Sequence, residues 1–521
     1  MSPRRAGLLI PLSASPSTSS WGIGDVADVA PAASWLHGAG LRVLQLLPLN
    51  EMAPGQQSPY SAISAMAMDP IYISVRDVAE FAAAGGEAAL DADTRAELEV
   101  VRNSPRIEYG RVRRLKEAAL RAAFERFASG DPDRIAALRT FVSEQAWWIE
   151  DYALFRAIHA REGERPWTEW AGELQRREPA AIDRARRELM RDVWFYQYLQ
   201  WLAASQWREA RARAAAAGVQ LFGDLPFMVD GDSADVWSRQ HQFRLDVSVG
   251  VPPDAFSATG QDWGMPLYQW DVMTFEDFRW LRERARRSAD LYDGYRVDHL
   301  VGFYRTYGRP RDGSPAFFSP GDEPAQTALG ERVLGIFRGA GAEIVAEDLG
   351  TVPDFVRTSL ARLGIPGFRV FRWERYWHSD GQPFRDPIDY PAVSVATSGT
   401  HDTEPLLVWW DRAGADERAK VAALSTVQRV ASARGLADVA SAGAAAIRDV
   451  LLEALFMSGS DLMLLPIQDA FGWRDRINEP ATVAHGNWTF RLPWPIDRMD
   501  EVPEAREAKD RLRAWADEYG R

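Results

Sequence analysis

The chain has 521 residues, 46% of them hydrophobic and 26% charged, with a formal net charge of −13 and no cysteine. That length and apolar fraction allow one large domain with insertions or two to four ordinary ones. The acidic balance, with Lys and Arg interspersed, excludes the concentrated positive field of a nucleic-acid surface, and the missing cysteines exclude disulfides, thiol nucleophiles and Cys-ligated metals while fitting a reducing, cytoplasmic setting.

The first residues imitate a signal peptide, with Arg4 and Arg5 ahead of an apolar run from Ala6 to Leu12. That run is short and Pro11 interrupts it. No stretch reaches the roughly 18 apolar residues that span a bilayer, so no membrane partner is expected. Apolar, β-prone runs then recur at 43–47, 70–74 and 219–223, near Asp298, Glu347, Arg369 and Asp402, and at 462–466. Eight such runs, read as parallel strands covered on both faces, predict an α/β fold: a (β/α)8 TIM barrel with helical insertions. Between the second and third runs, roughly 87–218, an Ala/Arg/Glu-rich stretch with helical periodicity predicts a helical insertion, which leaves 1–86 and 219–521 for the barrel. A second helical stretch, about 416–457, precedes the last strand.

Three of the runs end in acids. Asp298, Glu347 and the pair His401-Asp402 each follow a strand-like segment, and barrel chemistry collects at the C-terminal ends of strands. A lone strand-end Asp is commonly a cap or turn residue. A set of three in this order points instead to acetal cleavage, where one carboxylate attacks or stabilises the sugar cation and another protonates the departing oxygen. The 21 Trp agree with this, because sugar rings stack their C–H faces on flat aromatic side chains. Trp35, Trp147 and Trp280 fall on helical patterns and read as core; Trp21 and Trp263, on Gly-rich loops, read as cleft residues. Gly22-Ile23-Gly24-Asp25-Val26-Ala27 has a dinucleotide-like spacing without a βαβ setting. No hydrolase elbow, phosphate loop or ligand-spaced His cluster occurs, and no Asp-rich calcium loop, so neither cofactor nor metal is expected.

Several segments together carry a family likeness: Trp21-Gly22-Ile23-Gly24-Asp25; Ser58-Pro59-Tyr60-Ser61 with Asp69-Pro70; Gly223-Asp224-Leu225-Pro226; Gly250-Val251-Pro252-Pro253-Asp254 with 256–264; Arg296-Val297-Asp298-His299; Ala346-Glu347-Asp348-Leu349-Gly350; Gly399-Thr400-His401-Asp402; and Pro466-Ile467-Gln468-Asp469 with Gly486-Asn487-Trp488. The chain resembles the amylomaltases, the 4-α-glucanotransferases also called disproportionating enzymes, over nearly its whole length. The resemblance implies transfer of α-1,4-glucan between a maltodextrin donor and acceptor by a retaining double displacement. Asp298 is then the nucleophile, Glu347 the acid/base and Asp402 the stabiliser of the transition state. It further implies that Arg296 keeps Asp298 ionised, that Tyr60, Asp224 and His401 grip the same sugar, that Asp348 is a hydroxyl ligand, and that Trp263 belongs to a loop, 256–264, covering the acceptor. Leu300-Val301, Met265 and Thr403-Glu404-Pro405 depart from the commoner family pattern and bear on acceptor preference and chain length. A hydrolase on the same residues and a non-catalytic glucan-binding protein are the alternatives.

Overall fold

The computed structural model describes residues 4–253, 260–480, 482 and 486–521. Eight parallel strands close a barrel in sequential order: β1 Arg5–Leu9, β2 Val43–Gln45, β3 Gln220–Leu225, β4 Gly294–Val297, β5 Glu343–Ala346, β6 Gly367–Val370, β7 Ser394–Thr397 and β8 Leu462–Pro466, with β8 pairing back onto β1. The strands are buried almost throughout, as expected where helices cover the outside and side chains fill the inside. Val43, Phe222, Val345, Phe368, Val370, Val395, Leu462 and Leu464 form a separate small cluster drawn from β2, β3, β5, β6, β7 and β8, the packed interior of the barrel.

One expectation is corrected here, and one strand is added. Residues 70–74 are not a strand. Asp69 accepts a hydrogen bond from the Ile71 amide and Pro70 occupies the first helical position, so Pro70–Tyr72 forms a 3-10 turn; an acidic cap before Pro is a helix-start signal that outweighs the β-prone side chains around it. The place it vacates is taken by Arg5–Leu9, the apolar run that imitates a signal peptide. It is a barrel strand in register with both Val43–Gln45 and Leu462–Pro466. The basic residue that opens it serves the barrel floor, where Arg5 donates to Gln220 at 2.6 Å and to both oxygens of Glu343 at 2.9 Å.

The stretch between β2 and β3 is helical. Tyr109–Ala128 buries Val112, Leu115, Ala119, Ala123 and Phe127 at helical spacing. On the same face the buried Lys116 donates to the carbonyls of Ile71 and Ile73 and pairs with Asp25 at 3.2 Å, which ties the helix to the barrel loops. Met190–Ala216 leads back into β3 and packs on Val29–Gly38, the helix after β1. One hydrophobic cluster runs from these helices through the outer layer of the barrel. An antiparallel sheet absent from the sequence reading, in the order Gln261–Tyr268, Phe243–Val251, Thr306–Pro310, Phe317–Ser319, is built from the segments after β3 and β4. It carries Trp263 to the barrel mouth. Residues 254–259, which include the first four residues of the expected acceptor-covering loop, lie outside the described residues.

Candidate active site

The C-terminal ends of β3, β4, β5 and β7 bring the sequence-predicted residues together around one guanidinium. Arg296 and Asp298 sit two apart and so face the same way at the end of β4. Arg296, 5% exposed, donates from Nη1 to both oxygens of Asp224 at 2.9 and 2.8 Å; its Nη2 lies 2.7 Å from Asp298 Oδ1 and 4.0 Å from Glu347 Oε2. Burial works against a charged arginine, yet Asp224 and Asp298 outweigh it and raise Arg296 well above its ordinary value, fixing the cation.

Asp224 is the buried partner. Burial pushes its carboxyl up to about 6, with Arg296 acting against that rise. Tyr60 donates its hydroxyl to Asp224 Oδ2 at 2.8 Å and stands 3.0 Å from His401 Nε2, with the two rings stacked at 5.4 Å and 19°. Trp488, quoted above only as part of a motif, places its ring 5.8 Å from each of them. Tyr60, Asp224, His401 and Trp488 thus form one aromatic and polar wall.

Asp402 meets His401 Nε2 at 3.3 Å and accepts from Asn478 Nδ2 at 2.6 Å. Burial would raise its carboxyl, but His401, Asn478 and Arg296 together hold it well below the usual carboxylate range. Asn478 was missed in the sequence: it lies 76 residues beyond Asp402 in the loop after β8, and no local pattern marks it.

Glu347 follows β5 and has the opposite electrostatics. Its Oε2 accepts the His299 amide at 2.8 Å and Oε1 the Leu349 amide at 2.9 Å. His299, also missed, has φ 43°, a left-handed conformation uncommon for a histidine. That turn aims its N–H at Glu347. Burial pushes the Glu347 carboxyl up to about 7; Arg296 opposes the rise and Asp298 adds to it. One guanidinium therefore stands beside both Asp298, at the cleft, and Glu347, whose carboxyl burial pushes up.

Asp298, Glu347, Asp348, Arg296, Asp402 and Trp263 line a cleft of about 980 Å³. The Trp263 ring meets His299 edge-on at 4.9 Å. Asp348 lines the cleft with its oxygens engaged: Oδ1 accepts the Phe368 amide at 2.8 Å, and Oδ2 lies 3.3 Å from Arg357 and 3.4 Å from Arg369. Gly367 permits this, since a Cβ there would stand 2.4 Å from the Asp348 carboxylate. Trp21 is corrected: it is 1% exposed, donates to Glu87 and packs edge-on against Phe81, in the core rather than the cleft. Among the described residues, no group of three or more His, Asp or Glu is arranged to hold a metal ion, and no helix is long and apolar enough to cross a membrane.

A closed (β/α)8 barrel with acids converging at the C-terminal ends of its strands defines a barrel enzyme acting on carbohydrate. Residues 10–497 match the family model described as 4-alpha-glucanotransferase, and the chain belongs to that family; it is a glycosyltransferase. It is 33% identical to the 4-alpha-glucanotransferase of Thermus thermophilus, over 94% of this chain and 95% of that protein, and 32% identical to that of Chlamydia pneumoniae, over 95% and 92%. Among solved structures it is similar to an amylomaltase from Streptococcus agalactiae in complex with acarbose, with a TM-score of 0.83, 26% identity and 99% of both chains covered.

Proposed function

We propose that the protein moves α-1,4-glucan segments from a maltodextrin donor to a maltodextrin acceptor by a retaining double displacement. Asp298 attacks the anomeric carbon while Glu347 protonates the departing oxygen; the acceptor hydroxyl then gives its proton to Glu347 and displaces Asp298. The observation that carries this reading is the sharing of Arg296 Nη2. Asp298 Oδ1 and Glu347 Oε2 reach the same nitrogen at 2.7 and 4.0 Å, so these two oxygens stand no further apart than the two distances laid end to end. That bound on the two nearest oxygens accommodates the spacing of about 5–5.5 Å used in retention and supports the retaining reading. Asp402, held anionic, stabilises positive charge developing on the sugar, and Tyr60, Asp224 and His401 hold that sugar. Trp263 flanks the acceptor. Asp348, which braces Arg357 and Arg369, lines the cleft as a hydroxyl ligand. Residues 87–218 act as a helical insertion on the barrel of 1–86 and 219–521, and the setting is the cytoplasm.

Product analysis with maltotriose as sole substrate tests the reaction. Transfer breaks one glycosidic bond and makes another, so glucose and longer maltodextrins should appear while total reducing ends stay nearly constant. Reducing ends that climb in step with glucose would establish a hydrolase on the same residues instead. A pH profile tests the acid. The first step needs protonated Glu347, whose carboxyl sits at about 7, so kcat/KM is expected to fall as pH rises through roughly that value. A flat profile from pH 6 to 9 would remove Glu347 from the role.

A further inference from the structure

The catalytic cleft continues past Glu347 into a region that an uncharged glucan does not require. Four arginines line it, Arg357, Arg369, Arg375 and Arg385, against the carboxylates of Asp348 and Glu374. They come from the helix after β5 and from β6 with the loop that follows it. Arg375 is committed to Glu417. Arg357 and Arg369 share the single carboxylate of Asp348 at 3.3 and 3.4 Å, long for charge-assisted contacts; Arg369 also donates to the Phe368 carbonyl at 2.7 Å, and the Arg357 side chain is 43% exposed. Arg385 lies over the Tyr376 ring at 5.1 Å and faces the Glu374 carboxylate without an ion pair within 4 Å among the described residues, and its Nε is buried without a hydrogen-bond partner. Beside them stand Trp373 and Trp377, 43% and 52% exposed, the open aromatic faces on which a sugar ring stacks. In a chain of net charge −13, whose long-range field repels anions, this concentration of under-satisfied cations is local and faces the substrate cleft.

Which side of the cleavage point this is follows from chain order. Glu347 must touch the oxygen of the departing sugar, and Asp348, Leu349 and Gly350 continue from it toward the arginines; the wall of Tyr60, Asp224 and His401 lies across Arg296 from them. The arginines therefore flank the acceptor. An acceptor presents its 4-hydroxyl to Glu347, and across a pyranose ring C1 points away from that hydroxyl, along the cleft.

We propose that the acceptor end of this cleft takes a sugar carrying a phosphate ester on its reducing-end carbon, held by Arg357, Arg369 and Arg385. The proposal rests on the transferase reading above. The donor C1–O bond breaks, the acceptor O4–C1 bond forms, the 4-hydroxyl proton passes to Glu347, and the phosphate takes no part in the bond changes. Arg357 and Arg385 are positioning residues here.

The test offers maltotriose as donor with equal concentrations of isotopically labelled glucose and glucose 1-phosphate as acceptors, and reads products by mass. Phosphorylated maltodextrins are expected to exceed labelled neutral ones by about tenfold or more. The Arg357→Ala/Arg385→Ala double variant should abolish that preference while disproportionation of maltotriose alone stays within about twofold of the parent. Absence of phosphorylated products, a preference unchanged in the variant, or an equal loss of neutral transfer would each overturn the proposal. Calorimetric titration separates it from the reading it rests on, because binding needs no turnover. Glucose 1-phosphate should bind in the parent, weaken with added salt, and bind far more weakly to the double variant. Inorganic phosphate binding as tightly as glucose 1-phosphate would overturn the sugar-phosphate assignment, whereas failure of maltotriose disproportionation with normal glucose 1-phosphate binding would sink only the transferase reading.

Discussion

Asp298→Asn and Glu347→Gln are each expected to lower turnover of maltotriose by roughly a thousandfold or more, with the fold unchanged by circular dichroism and thermal melting. Asparagine keeps an oxygen for Arg296 Nη2, which lies 2.7 Å from Asp298, but it cannot attack an anomeric carbon. Glutamine keeps the volume of Glu347 and loses the proton. The two variants are told apart by the donor. α-Maltosyl fluoride expels fluoride without protonation, so Glu347→Gln should regain the first half-reaction with it and Asp298→Asn should not. Near-parent turnover in either variant, or rescue of both by the fluoride, would dismantle the assignment of nucleophile and acid.

Most of the barrel was legible because its strands, buried on both faces, appear as uninterrupted apolar runs of the right length. Residues 219–223 and 462–466, and the runs near Asp298, Glu347 and Arg369, needed nothing more. The errors came where a local pattern has two physical uses. Arg5–Leu9, with a basic start and an apolar run, can be an export signal or a barrel strand whose first residue reaches Gln220 and Glu343, and those partners lie more than 200 residues away. Residues 70–74 carry β-prone side chains, but the backbone obeyed Asp69 and Pro70. Trp21 shows that a Gly-rich neighbourhood does not imply a cleft: the chain turns its indole inward onto Phe81.

The acids of the site were legible by position, since a barrel places whatever follows its strands at one mouth. Their proposed division of labour came from the family resemblance and not from the local pattern. Asp298, Glu347 and Asp402 are all carboxylates in the sequence, and what separates them is burial together with which donors reach them: two backbone amides for Glu347, a guanidinium for Asp298, and a histidine with an amide side chain for Asp402. The His299 contact depends on a left-handed backbone that nothing in a histidine announces. Asn478 reaches Asp402 through the closure of the barrel, which joins the loop after β8 to the loop after β7.

Replacing Arg296 should cost more than any other change outside the reacting acids. Arg296→Met leaves Asp224 and Asp298 without their shared cation, and Asp224 is only 3% exposed. Removing one member of a buried ion pair typically costs about 3–5 kcal/mol, so the variant is expected to melt well below the parent. The electrostatic consequences follow in sign. Arg296 opposes the rise of both Asp224 and Glu347, so without it both carboxyls move further up, and the alkaline limb of any remaining activity should shift to higher pH. Arg296→Lys separates charge from geometry. An ammonium restores a positive charge to the pocket, but it has no fork with which to hold both oxygens of Asp224 from one nitrogen and Asp298 from another. Lysine should therefore recover much of the lost stability and draw the alkaline limb back toward that of the parent, while turnover stays at least about a hundredfold down because Asp298 is no longer held for attack. Full activity in Arg296→Lys would mean that the cation alone matters and that the bidentate geometry at the end of β4 contributes nothing to the rate.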